Sequence, residues 1–170
     1  MNDTATPQSL APSKLDYTLG VLALAILAAA LIALFRGMDE WHQLPPRLWF
    51  HIVTVTVATA LTPIMLWRRR GDKSHRVLGY IWVFCMVSTA LVSFTLRFIN
   101  PGGFSPIHLL SILTLVVSWK LVAKARAHKP IEHRREVRGI VTGALLIAGF
   151  FTFPFNRLMG TWLQGMTVFN

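Results

Sequence analysis

Apolar residues in this chain gather into long unbroken runs separated by short polar or basic breaks. Five runs, at about 16–36, 48–67, 76–97, 105–125 and 138–157, are each rich in Ala, Val, Ile, Leu and Phe. An α-helix needs about 20 such residues to cross a hydrocarbon core of roughly 30 Å. The breaks are physically sensible. "QLPPRLW" carries a Pro pair that cannot continue a helix, and "NPGGFSP" is built from turn formers. "RRRGDKSH" and "AHKPIEHRR" are too charged to lie in lipid. The pattern predicts an all-α, polytopic integral membrane bundle of five transmembrane helices over 15–160.

The flanks read differently. Residues 1–14, "MNDTATPQSLAPSK", are polar and Pro- and Ser-containing, and are predicted to be a disordered cytoplasmic N-terminus. The run that follows is too long for a signal-peptide core and is read as a retained first span. Residues 161–170 are predicted to form an interfacial C-terminal tail. Composition agrees with the membrane reading, since 54% of the 170 residues are hydrophobic and only 14% are charged. The net charge of +10 does not point to nucleic acid, because the basic residues flank apolar spans and face anionic headgroups. Most of the 17 Lys and Arg residues fall in the loops after spans two and four, which predicts a cytoplasmic N-terminus and an outside C-terminus. Trp41, Trp49, Trp67, Tyr80, Trp82 and Trp162 lie near predicted boundaries and read as interfacial anchors. The single cysteine, Cys85, excludes an intrachain disulfide and reads as a buried small hydrophobe.

The histidines carry the candidate chemistry. "FHIVTVTVATALTPIMLWRRRGDKSHRVLG" and "IHLLSILTLVVSWKLVAKARAHKPIEHRREVRG" both open with an apolar residue and His, run to a basic loop, and resume with His-Arg and a later Gly. Spans two-three and four-five therefore read as two copies of a helical hairpin. The topology puts His51 and His108 at one level and His75 and His133 at the other. Two facing imidazoles at each level suit bis-histidine haem, with six-coordinate iron favouring electron transfer. Ala58, Ala60, Gly139, Gly143, Ala144 and Gly149 would let the macrocycle approach backbones. Arg76 and Arg134 would answer the propionates at the first-named basic loops, and Arg47, Arg97 and Arg157 at the opposite level. The alternative is that each histidine is an amphipathic side chain with a wet tip at the membrane boundary. His42 and His128 have no counterpart in the repeat and take that reading. Asp72, Glu132 and Glu136 lie among the loop cations, either as an anion or quinone-headgroup site or as local ion pairs.

At "HRVLGYIW", "GGFSPIHLLSILTL" and "HRREVRGIVTGALLIAGFFTF" the chain resembles a family of predicted bacterial inner-membrane proteins of unknown function, over roughly 47–160. That resemblance implies a bacterial inner-membrane location. The layout is also similar to the di-haem transmembrane cytochrome b group, which moves electrons from ascorbate or quinol. That similarity implies two b-type haems, held by His51 with His108 and by His75 with His133, and exchange with a quinone or a partner. A second expectation is a non-catalytic accessory or assembly subunit of a larger respiratory, photosynthetic or transport complex. A small transporter is disfavoured, because mid-membrane positions lack Asp, Glu, Arg and Lys. No phosphate loop, Cys-x-x-Cys or His-Glu-x-x-His is present.

Overall fold

The computed structural model describes residues 11–96 and 106–169. Within them the chain is helical, with no strand. Helix α1 covers Lys14–Arg36 and is followed by a 3-10 segment, Met38–Gln43. Helices α2, Pro46–Trp67, and α3, Lys73–Ser93, form one hairpin. Helix α4, Pro106–Arg126, pairs with α5, which begins as Pro130–Ile140. Helix α5 continues without a break through a π-helical segment, Val141–Ile147, into a last turn, Ala148–Phe150. A short α6, Leu158–Leu163, closes the fold. Helices α1 to α4 are long and apolar enough to cross a membrane.

Local chemistry sets these ends. Ser13 and Asp16 form a capping box at the start of α1, so the helix begins inside the segment expected to be disordered. Residues 1–10 of that segment lie outside the described ones. Pro46 and Pro130 occupy first-turn positions, where a missing N–H costs nothing. Asp72 caps α3, accepting from the His75 amide at 2.6 Å. The fifth helix was expected over 138–157 but runs from Pro130 to Phe150. Pro130 starts it early, within the basic segment. Phe155 and Asn156, with φ of 64° and 53°, turn the chain before α6.

Helix α2 packs on α1 and α3, while α4 packs on α3 and α5. Their shared core includes Leu19, Ala58, Leu66, Trp82, Cys85, Met86, Leu121 and Val141. The outer faces present large apolar side chains such as Phe35, Phe84, Leu109 and Trp119, as a lipid-facing bundle requires. Trp41 and Trp49 meet edge-on at 4.9 Å on an outer rim. Trp82 and Trp162 depart from the anchor role expected of them, being only 5% and 1% exposed. A buried indole needs an acceptor, and each finds one. Trp82 Nε1 donates to Thr62 Oγ1 at 3.0 Å, and Trp162 Nε1 donates to Glu40 Oε2 at 2.6 Å.

That second bond latches the C-terminal segment to the end of α1. Trp162 lies directly on Gly37, where an added Cβ would meet the indole at 2.1 Å. Only glycine permits this approach. Glu40 also accepts from the Val168 amide at 2.8 Å and the Phe169 amide at 3.1 Å. The Trp162 indole N–H, aided by those two amides, holds the Glu40 carboxyl below the usual glutamate range despite its burial. A carboxyl lowered in this way stabilises the latch fully above its unfolded-state pKa, and the stabilisation is lost as pH falls through the lower folded value. Protection of the Val168 and Phe169 amides from hydrogen exchange should therefore collapse at pH values below about 4, under the ordinary glutamate pKa. Glu40→Gln should lower that protection at neutral pH and flatten its pH dependence.

Candidate functional site

One end of the bundle gathers the starts of α1, α3 and α5. At its centre is Asp16, whose side chain has no exposed surface. A carboxylate withdrawn from water needs cations and hydrogen bonds around it. Arg70, from the loop after α2, reaches Oδ2 at 2.9 Å, and Arg138, on α5, reaches Oδ1 through Nε at 2.9 Å. Arg134 also bonds Oδ2. The Ser13 amide donates to Oδ2 at 2.8 Å, and Arg138 Nη2 donates to Ser13 Oγ at 2.6 Å. The Trp67 indole donates to the Asp16 carbonyl at 3.2 Å and lies on Gly20. A single turn of α1 thus binds the ends of two other helices. Beside this knot an open cleft of about 290 Å3 is lined by Ile131, Arg134, Arg135 and Arg138.

The same end carries two of the expected histidines. His75 lies in the first turn of α3 and His133 in the first turn or so of α5. His133 Nδ1 is bonded to the Leu121 carbonyl at 2.9 Å. His75 Nδ1 is buried without a hydrogen-bond partner. At the opposite end, His51 Nδ1 is 3.3 Å from Ser93 Oγ, while the His108 ring, in a residue only 3% exposed, lies 5.9 Å from Phe94. His51 and His108 therefore flank consecutive residues at the end of α3. Among the described residues, no group of three or more His, Cys, Asp or Glu side chains is placed to hold a metal ion.

The arginines divide. Arg134, expected to answer a propionate, is bonded to Asp16, whereas Arg76 and Arg47 are exposed. Arg157 precedes α6 at its N-cap, and Arg97 lies outside the described residues. His42 is exposed, and so is His128, which closes α4 with a left-handed φ of 54°. Asp72 pairs with Arg68 at 2.7 Å, and Glu132 binds Lys124 and Lys129. These are the local ion pairs of the second reading given above for the loop carboxylates.

Inside the bundle, the hydroxyls of Thr59, Thr62 and Thr114 donate to carbonyls one turn back. Thr89 instead donates to Thr54 Oγ1 at 2.7 Å, joining α3 to α2. Between α4 and α5 lies a cavity of about 30 Å3 bordered by Thr114, Gly139, Gly143 and Ala144. A Cβ on Gly139 or Gly143 would meet nothing within 4 Å. The π-helical segment starts in this region, and such segments recur at functional sites.

Asp16 is the residue that sequence reasoning missed. Its signals were present: a Ser-x-x-Asp box, and a lone acid at the head of the longest apolar run. Asp16→Asn should lower stability in detergent by about 3 kcal/mol, because it leaves buried guanidinium groups uncompensated. Adding Arg138→Gln should recover part of that loss in thermal unfolding, a coupling that independent sites would not show. No family model, curated protein or solved structure matches this chain.

Proposed function

We propose that this chain is a membrane electron-transfer protein with two bis-histidine b-type haems, one held by His75 and His133 and the other by His51 and His108. The observation that carries the reading is the state of the first pair. Metal-ligating histidines commonly fix their tautomer by donating one ring N–H to a backbone carbonyl. His133 has that arrangement through Leu121, which leaves Nε2 as its donor atom. His75 keeps a buried ring nitrogen without a partner, an atom that ordinarily requires one. These two imidazoles would be the chain's donors to haem iron. At the other level, His51 Nδ1 lies 3.3 Å from the Ser93 hydroxyl, and burial keeps His108 away from water.

Bound haem would supply reversible one-electron chemistry at each level. The chain's own residues hold the imidazoles in orientation, exclude water, and separate the two levels by the length of the helices. Gly139 and Gly143 border the cavity of about 30 Å3 between α4 and α5, so a macrocycle there would require the two helices to part. In this reading α5 makes the fifth crossing of a bacterial inner membrane, with the Asp16 end in the cytoplasm, and α2–α3 and α4–α5 are repeated hairpins. A quinone or a larger membrane complex would exchange the electrons.

A second reading, an accessory subunit without cofactor, draws on a different observation. The interior of the bundle is filled by apolar side chains, Leu66, Trp82 and Met86 among them, and its interior threonines bond within the helices. An absorption spectrum separates the two. Protein expressed with haem supply and purified in detergent should show a sharp reduced-minus-oxidised band. His133→Ala should remove about half of the bound haem, and His51→Ala the other half. A colourless wild-type protein that co-purifies with a large complex would establish the accessory role instead.

A further inference from the structure

The cleft beside Asp16 has a chemistry of its own. Its lining residues, Ile131, Arg134, Arg135 and Arg138, are spaced i, i+3, i+4 and i+7, so they form one stripe of α5. One carboxylate, Asp16, faces three guanidinium groups in the adjoining knot. The knot is therefore surplus in positive charge, and Arg135 adds an exposed guanidinium at the mouth. Of the two acids on α5, Glu132 is turned to Lys124 and Lys129, and neither it nor Glu136 lines the cleft. Guanidinium forks match phosphate oxygens in pairs, which lysines cannot do. At about 290 Å3 the space is at the lower bound of small-molecule pockets, suited to a headgroup and not to a whole cofactor.

Place decides which phosphate. The cleft opens at the ends of helices that are long and apolar enough to cross a membrane, where lipid phosphates are concentrated. Ile131, 60% exposed, stands at its edge, an apolar surface beside three cations. We infer that this cleft is a binding site for the phosphodiester headgroup of an anionic phospholipid, with Arg134, Arg135 and Arg138 around the phosphate and Ile131 against the glycerol and upper acyl chain. The same lipid would bear on the helix that Asp16 ties to α1, so its binding would brace the knot.

The full chain in nanodiscs of phosphatidylcholine, with and without phosphatidylglycerol, tests this. Native mass spectrometry should find phosphatidylglycerol retained in preference to phosphatidylcholine, and its presence should raise the unfolding temperature. Arg135→Gln, outside the Asp16 knot, should reduce the preference about fivefold while leaving unfolding in pure phosphatidylcholine unchanged. Arg69→Gln, an equal loss of charge in the exposed loop, should leave the preference intact. Equal effects of the two substitutions would show diffuse attraction to basic loops and overturn the site. Displacement of phosphatidylglycerol by inorganic phosphate at about ten millimolar would overturn the lipid assignment in favour of a soluble anion.

Discussion

A buried carboxylate at the head of an apolar helix is a demanding object, and the rest of this molecule is organised around satisfying it. Asp16 is fully enclosed, and removing an ion from water costs several kcal/mol after relaxation. The compensation comes from Arg70 on one hairpin loop and from Arg134 and Arg138 on a helix more than 100 residues further along the chain. Apolar helices in lipid have little hydrophobic reason to choose one neighbour over another. A charge that must be met by three particular cations supplies that choice. It fixes which ends lie together, and so brings the first turns of α3 and α5 to the same end of the bundle.

The opposite end has a parallel solution at smaller scale. Glu40 accepts from an indole and two backbone amides, and these bonds hold α6 and the C-terminal residues against the end of α1. Each end of the first helix thus carries one buried acid that recruits a later segment. His75 and His133 lie at the first of these ends and His51 and His108 at the other, on helices whose packing is otherwise supplied by apolar side chains and by hydroxyls bonded back to their own backbone.

The four helices long and apolar enough to cross a membrane were legible in the sequence because their signal is local: unbroken apolar runs ended by Pro, Gly or charge. Boundaries shifted where a cap outweighed hydropathy. Ser13 and Asp72 start their helices inside polar sequence, and Pro130 nucleates α5 within a basic segment. Asp16 was not legible as a centre, since its partners are remote in the chain and a capping box explains it equally well. Trp82 and Trp162 were misplaced for a related reason. Position near a boundary fits an interfacial indole, but a buried acceptor, Thr62 or Glu40, decides the matter and is visible only in three dimensions. Of the residues expected at the haem groups, His75 and His133 start helices at the same end of the bundle, and Arg134 is engaged by Asp16. The level of His51 and His108 is described through its separate contacts with Ser93 and Phe94.

The π-helical stretch at Val141–Ile147 has an evolutionary corollary. Wider hydrogen-bonded rings arise when one residue is accommodated in excess of α-helical register, so the segment behaves as an insertion absorbed without a loop. Deleting one residue there would restore ordinary pitch and leave the downstream faces, Phe150 among them, in their present directions. A further insertion not absorbed in the same way would turn everything downstream by about 100°. Tolerance of length at this place is therefore one-sided, in a stretch whose amino acids, "VTGALLI", look freely interchangeable.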